Sequence, residues 1–361
     1  MIPAKKIVLL VAATVVSIGF IISTAQKTTA LAPADEIRRA PSKYRIVFWN
    51  VENLFDTADD PTTNDEDFTP KGLYAWTTDR YQAKLEQTAK VLMNIPESYI
   101  VPLIGLVEIE NKKTLDDLIN ETDLRNLGYD YVHRESPDER GIDVALLYRK
   151  GMFEVLEQEW LHVALDTINK DQTREILYVK GTLMGDTLHV LVNHWPSRRE
   201  GIKLSDPKRM IAANVARVKV EGIQNINPKA KIIIMGDFND DPDNKSITKG
   251  LLANNTPNNA IKNNGLFNMM FDLHKQGKGT LYFDGKFNLF DQMIVSGDLA
   301  DPTNRRMVLE QNEGKIFAPD WTTFTDVKTN LKRPNRTFSG TKYIGGFSDH
   351  FPVYIDLRNN F

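Results

Sequence analysis

The sequence of 361 residues contains no cysteine. It therefore forms no disulfide, offers no thiolate to a metal and has no cysteine behind a leader to carry a lipid. Nor does it carry an excess of either charge. Its 45 lysines and arginines stand against 48 aspartates and glutamates, a formal net charge of −3. A chain so balanced is not drawn as a whole to nucleic acid or to an anionic membrane, so any polyanion it binds must be held locally, in a cleft. No internal repeat is visible, and no later stretch approaches the length of a membrane span. After residue 43 no linker rich in Pro, Gly and Ser divides the chain, which argues for one domain over 44–361. What is present is ordinary for a globular protein: 41% hydrophobic and 26% charged residues.

The first residues have a different character. Lys5 and Lys6 precede an apolar run from Ile7 to Ile22, followed by small residues at Ser23 and Ala25. That is the plan of a secretory signal peptide over 1–25, cleaved after Ala25, with 26–43 as a linker. Export to the periplasm or the extracellular space is the expectation. An uncleaved N-terminal membrane anchor is the alternative.

Periodicity and turn chemistry then suggest the elements. A strand runs from Tyr44 to Trp49. The acidic segment Asp56 to Pro70 lacks the spacing of an EF-hand loop and reads as a solvated loop. A helix opens at Asp79 with Gln82 completing a capping box, and it places Tyr81, Leu85, Ala89 and Leu92 on one face. An apolar strand ends near Glu108, a short helix covers Thr114 to Ile119, and strands follow at Tyr129–His133 and Val144–Tyr148. Glu175 to Trp195 reads as a hairpin turning at Gly185 and Asp186. A helix with Asp206 as cap and Pro207 at its first position directs Met210, Ile211, Val215, Val218 and Ile223 inward. Further strands are expected at Lys231–Met235, Leu289–Val295 and Phe351–Leu357, with 254–268 irregular. The mixed order predicts a sheet-based α/β or α+β sandwich.

Polar residues recur at the ends of these strands. Asn50 and Glu52 follow the first, Glu108 the second, Asn193 and His194 the hairpin, and Asp237 and Asn239 the strand from Lys231. Asp291 opens a later strand, and Asp349 and His350 stand before the last. A single such residue is ordinarily a turn former or a cap. If the ends share one rim, they form an acidic cleft with two histidines, and close carboxylates need a positive partner. Within the motifs only Arg198 and Arg199, beyond His194, carry positive charge. A divalent cation supplies the rest, and carboxylate and amide oxygens suit Mg²⁺ or Mn²⁺ better than Zn²⁺. Arg198 and Arg199 either hold flanking phosphates or lie in a solvated loop. With Lys203, Lys208 and Arg209 they form a candidate basic patch. His133, His162, His189 and His274 lie outside the motifs and read as structural or surface residues.

In order, "FWNVENLFD", "GLVEIEN", "VNHWPS", "GDFND", "FDQMIVS" and "FSDH" resemble the endonuclease/exonuclease/phosphatase superfamily. It includes deoxyribonuclease I-like nucleases, abasic-site endonucleases, neutral sphingomyelinases and inositol polyphosphate phosphatases. "NVENLFDT", "DFTPKG" and "RYQAK" look like a branch of secreted bacterial nucleases. The resemblance implies an α+β fold, a four-layer α/β/β/α sandwich of two mixed sheets. By the same resemblance Asn50 and Glu108 are the metal-site pair. Glu52 falls where some nucleases carry a metal-associated Asp, and Asp349 is a carboxylate near the metal. His350 meets the scissile phosphate and Asp291 orients it. Asp237 and Asn239 position water and the phosphoryl oxygens, and His194 stands where other members carry His or Tyr. Ser197 lies where abasic-site enzymes carry an Asn that contacts phosphate. Asp143, in "GIDVALLY", is a candidate partner for His194. The expectation is a secreted, Mg²⁺-dependent phosphodiesterase, acting as a monomer on DNA or RNA. The alternatives are a phospholipid or sphingomyelin phosphodiesterase, for which an exposed loop bearing Trp76, Trp160 or Trp321 would speak, a phosphomonoesterase, or a binding protein on the same scaffold.

Overall fold

Every second residue of the principal strands is apolar and meets the opposite sheet, and this alternation builds two seven-stranded sheets face to face. The computed structural model describes residues 43–165, 172–254, 265–304 and 306–359. The expected leader, its cleavage site and the linker up to residue 42 lie outside them. Ser42–Phe361 forms one compact unit.

The first sheet is built on β1 (Lys43–Leu54), β2 (Ile100–Ile109), β3 (Tyr129–His133) and β4 (Asp143–Arg149). The second contains β5 (Phe153–Leu161), β6 (Ile176–Leu183), β7 (Asp186–His194), β8 (Lys231–Asp237) and β9 (Asp291–Ser296). The chain returns to the first sheet with β10 (Val353–Asn359), which runs antiparallel to β1. β1 is parallel to β2, and β7 to β8; the other pairings among these strands are antiparallel. Ile46, Phe48, Leu103, Val107, Val190, Val192, Ile233, Met235, Met293 and Val353 fill the space between the sheets. Helices α1 (Thr78–Asn94) and α2 (Lys112–Asn120) cover the outer face of the first sheet. Helix α3 (Ile202–Ile226) covers that of the second. This is the expected four-layer α/β/β/α sandwich.

Several boundaries differ from the sequence reading. The N-cap of α1 is Thr77, and neither it nor Asp79 forms the capping box with Gln82. A capping box does start α2, between Asn111 and Thr114. Helix α3 starts at Ile202 behind Gly201, whose φ is 89°, and encloses Pro207. Its buried face is Arg209, Ala212, Ala213, Ala216, Val220 and Ile223, while Val218 points to solvent. The alanines let the helix lie close to the sheet; of the expected stripe Ile223 is buried and Ile211 and Val215 pack at its margin, while the alanine centre was not foreseen. The β6–β7 hairpin turns at Met184 and Gly185, both at positive φ (56° and 78°), as a two-residue I′ turn demands, one residue earlier than expected. β5 was not foreseen; its run of exposed acidic residues marks a protected sheet edge. Leu266–Asn268, inside the stretch expected to be irregular, pairs with β9, whereas 255–264 lies outside the described residues. The acidic segment is solvated over much of its length, as expected, but it is anchored at particular points. Asp56 and Asp65 are buried, Asp65 accepts from Asp60 N (3.1 Å), and Phe68 stacks on Phe55 at 4.3 Å.

Gly236 lies inside β8 rather than at an exit turn. A Cβ there would stand 2.5 Å from the backbone oxygen of Asn193 on the parallel neighbour. Gly236→Ala therefore forces β7 and β8 apart, and chemical denaturation should show a loss of about 1–3 kcal/mol. Unchanged stability would show that the strands are free to separate there.

Candidate active site

The alternation that fills the core continues into the site. On β7 the inward series Leu188, Val190, Val192 ends in His194; on β8, Ile233 and Met235 lead to Asp237; on β9, Val295 and Met293 lead to Asp291. These end residues are register partners: His194 pairs with Asp237, and Asp237 with Asp291. They form one row across three strands and point into the end of the inter-sheet space. On the facing sheet, the β1 series Ile46, Phe48 ends in Asn50. Asn50 Nδ2 donates across the gap to Asp237 Oδ2 (3.1 Å) and to Glu108 Oε1 (3.2 Å).

His350 closes the row. Its Nδ1 lies 2.7 Å from Asp291 Oδ2, and its Nε2 lies 3.8 Å from Asp237 Oδ2 and 3.9 Å from Asp349 Oδ1. Trp49 Nε1 donates to the His350 carbonyl (3.0 Å), and Ser348 Oγ donates to Asn50 O (2.7 Å) while accepting from His350 N (3.0 Å). The last loop is thus fastened to β1. Glu52, Asn53, Glu108 and Asn239 adopt positive φ, between 49° and 63°, where β1 and β2 lose register and where the chain leaves β8. Such backbone is strained for these residues and must be fixed by its surroundings. Asn53 N holds Glu108 Oε2 (2.8 Å), and Asn239 N holds Asp237 Oδ1 (2.9 Å).

Burial sets the charges against one another. It pushes the Asp237 carboxyl up to about 6, against the pull of His350. Burial opposes a proton on His350, but the Asp291 and Asp237 carboxylates outweigh it and hold the imidazolium well above the usual histidine range. His194 goes the other way: burial and then Arg174, Arg140, His350 and Arg199 hold it neutral. For Glu108, burial is outweighed by Arg140, His350 and its hydrogen bonds, so it stays ionised. Glu52 is pushed up to about 7, by burial and then by Asp349. Its oxygens accept from Thr337 N (2.7 Å) and Arg336 Nε (3.3 Å).

The structure gathers Asn50, Glu52, Glu108, His194, Asp237, Asn239, Asp291, Asp349 and His350. It does not bring all the other candidates with them. Arg198 faces inward and is held by Asn239 O (2.7 Å), Asp240 (2.8 Å) and Asn244 (2.8 Å), so it braces the site instead of reaching for phosphate. Arg209 is fully buried against Asp240 (2.9 Å), which dissolves the expected basic patch. Arg199 is exposed and Ser197 half-buried. Asp143 belongs to the outward series of β4 with Ala145 and Leu147, the wrong face for His194; it pairs with His133 (2.8 Å). Trp76 is buried and Trp160 stacks under Arg134 (4.6 Å), so neither forms an exposed loop.

Three cations among the acids were missed. Arg336 bridges Glu52 and Asp349 (3.1 Å). Lys84 of α1 is buried beneath them and donates to Thr337 Oγ1 (2.8 Å) and Phe347 O (2.7 Å); burial, against Glu52 and Asp349, brings it down to about 8. Arg140 donates to Asn53 Oδ1 (2.5 Å). None lies in a strand-end motif. Lys84 interrupts the apolar stripe of its helix, the one signal available. A divalent cation is therefore not the sole source of positive charge beyond Arg198 and Arg199; Arg336, Lys84 and Arg140 share in it.

A divalent cation still fits. Glu108 is ionised, and among the described residues its Oε1 meets only the Asn50 amide and, at 3.9 Å, His194. Carboxylate and amide oxygens are donors for a hard ion. Asp237, Asp291 and His350 also present ligand atoms within 4.8 Å of one another, but the His350–Asp291 contact occupies two of them.

Residues 45–359 match the model of the Endonuclease/Exonuclease/phosphatase family. No curated protein matches the chain. An endonuclease/exonuclease/phosphatase family protein from Bacteroides thetaiotaomicron is 17% identical, with a TM-score of 0.53, over 88% of this chain and 98% of that one. TDP2 from D. rerio, complexed with a single strand DNA product, is 16% identical, with a TM-score of 0.52, over 88% and 100%. A mannosyl-6-phosphatase from B. thetaiotaomicron is 16% identical, with a TM-score of 0.51, over 87% and 99%. At these identities the likeness is one of fold.

The raised Asp237 makes a signed prediction about stability. Its folded value, about 6, exceeds the ordinary 3.8, so its ionisation opposes folding increasingly as pH rises through that interval. Asp237→Asn should raise the metal-free melting midpoint above pH 6, by about 2–4 °C for each kcal/mol recovered. Below pH 4 the gain should vanish. A midpoint lowered at pH 8 would show that the charge is stabilised by its neighbours.

Proposed function

This chain belongs to the endonuclease/exonuclease/phosphatase family, and we propose that within it the chain is an exported phosphodiesterase that cleaves nucleic acid with the aid of a divalent cation, Mg²⁺ or Mn²⁺. Family membership supports the broader activity, hydrolysis of a phosphoric ester. The observation that carries the finer reading is the row His194–Asp237–Asp291 with His350 closed over it.

A phosphodiester resists water because its charge repels nucleophiles. Asp237, near the working pH range, accepts the proton of an attacking water. The His350 imidazolium, backed by Asp291, lies 3.8 Å from Asp237 and offers Nε2–H to the phosphoryl oxygens as negative charge gathers there. Neutral His194 and Asn239 orient oxygens without adding repulsion. Asn239 is fixed by Trp195 O (3.0 Å), and its own carbonyl by Arg198. Glu108 and Asn50 would hold the cation, with Asp349 nearby, and the cation would supply charge neutralisation at the phosphate or the leaving oxygen. Glu52, shared between Arg336 and Thr337 N, supports that group from behind. Export rests on the leader expected from the sequence, and nucleic acid on Arg140 and Arg199, whose charges act on His194 in the cleft.

A second reading has its own support. The hairpin Thr323–Thr325/Lys332–Pro334 leads into Arg336 and exposes Phe324, Leu331 and, at its tip, Val327 at 95%. Leu281 of the adjoining hairpin bridges to His350. An apolar rim so close to the site suits a lipid phosphodiester.

Plasmid DNA, RNA, sphingomyelin vesicles and a phosphomonoester separate the readings. Nucleic acid should be cleaved with Mg²⁺ and spared with chelator. His350→Ala should lower kcat by about 10²–10³-fold. Activity should fall below pH 6 as Asp237 takes a proton, and fall again in alkali as His350 loses one. Cleavage confined to sphingomyelin would transfer the function to the second reading. Cleavage that survives both chelator and His350→Ala would refute the mechanism.

A further inference from the structure

Of the two arginines expected to hold flanking phosphates, Arg198 proved structural, whereas Arg199 stays exposed and is joined beside His194 by Arg140. Arg140 reaches into the cleft through Asn53: its Nη2 donates to Asn53 Oδ1 (2.5 Å), and Asn53 N donates to Glu108 Oε2 (2.8 Å). Arg140 N is held by Asp138 Oδ1 (3.1 Å), whose other oxygen pairs with buried Arg174 (2.7 Å). Arg174 in turn donates to Trp195 O (2.8 Å), beside His194. Arg174 thus has its carboxylate. Arg140 has none within 4.0 Å among the described residues; its guanidinium meets a neutral amide. Arg199, four residues beyond Trp195, is exposed and makes no hydrogen bond or ion pair among the described residues. Both act on His194 and on each other. Burial pulls the Arg140 guanidinium below its ordinary value; Glu108 opposes this most, Arg199 and Arg174 add to it, and Asp138 opposes it more weakly.

A largely desolvated cation that reaches its nearest acid, Glu108, only through the neutral Asn53, beside a second exposed arginine, is better balanced when a further anion joins them. We infer that Arg140 and Arg199 form a second anion subsite on the Glu108–His194 side of the cleft, which takes a phosphate of the same substrate adjacent to the one being hydrolysed. The inference rests on the phosphodiesterase reading above and narrows it: the substrate carries at least two phosphates in series. Planar guanidinium groups suit such a partner, offering paired donors to its oxygens. The rival is that Arg140 serves only to keep Glu108 ionised, which would make it indifferent to the number of phosphates.

Binding without turnover separates the two. With the full chain in chelator, the affinities of TpT, with one phosphate, and TpTpT, with two, are measured against salt concentration. In the wild type, log K for TpTpT should fall with log salt more steeply by about 0.7, the value for one more phosphate on a single strand. Arg140→Gln and Arg199→Gln should each reduce that difference, and together abolish it; Arg140→Lys, which keeps the charge, should preserve it. Equal slopes for the two ligands in the wild type, or a difference untouched by the paired Gln substitutions, would overturn the subsite. Arg199 is exposed, so its variant carries the test if Arg140→Gln fails to fold. Tripolyphosphate against orthophosphate repeats the comparison without a nucleoside. A chain that cleaves no nucleic acid, yet prefers tripolyphosphate in an Arg140-dependent way, would end the nuclease reading and keep the subsite. A chain that cleaves nucleic acid without such a preference would do the reverse.

Discussion

The site depends on a single register. Asp237 is opposite His194 on one neighbouring strand and opposite Asp291 on the other. A slip of one residue on any of the three would turn a site residue to the far face of the sheet and an apolar residue into the cleft. The apolar partners behind the row, Val192 with Met235 and Met235 with Met293, secure that alignment by packing against the facing sheet. The hydrophobic core and the polar row of the site are one series of alternating positions, and the change from apolar to polar occurs where the sheets end.

Holding so many ionisable groups out of water is expensive, and the molecule meets the expense with neighbours of its own. Arg336 and Lys84 stand behind Glu52 and Asp349, Arg140 near Glu108, and the His350 imidazolium between Asp291 and Asp237. Further out, Asp240 is gripped by Arg198 and Arg209, while Ser246 Oγ donates to it (2.6 Å). Asp241 accepts from Leu289 N (2.7 Å). These contacts tie the loop after β8 to α3 and to the approach of β9, and they hold Asn239 in its left-handed conformation. Charge balance and backbone strain are settled by the same residues.

Much of this was legible beforehand. The strand-end motifs named the row, because an acid or imidazole that continues an apolar every-second-residue series is a local signal. The same parity places Asp143 with Ala145 and Leu147 on the outward face and separates it from His194. The cations could not be read in this way. Arg336 reaches the site from a hairpin connection, Arg140 from a turn, and Lys84 from a helix on the far side of a sheet, and nothing adjacent to them in sequence announces the carboxylates they meet in space. Arg198 and Arg209 erred in the opposite sense. An arginine beside a site motif looks like a ligand for substrate until its carboxylate, thirty or more positions away, is found. The inward stripe of α3 was read only at its margin for a related reason, since close approach to a sheet favours alanine over bulk at the centre.

Trp49 and the carbonyl it holds at His350 are 301 positions apart in the chain. β10 pairs with β1, joining late-made sequence to early-made sequence across nearly the whole fold. A growing polypeptide therefore has Asn50, Glu108, His194 and Asp237 in hand long before it has the imidazole that completes them. Through most of its synthesis the site is incomplete, and it is assembled only when the last loop docks. For a hydrolase of phosphoric esters, which every cell contains, the order in which the ribosome delivers the parts is itself a safety catch.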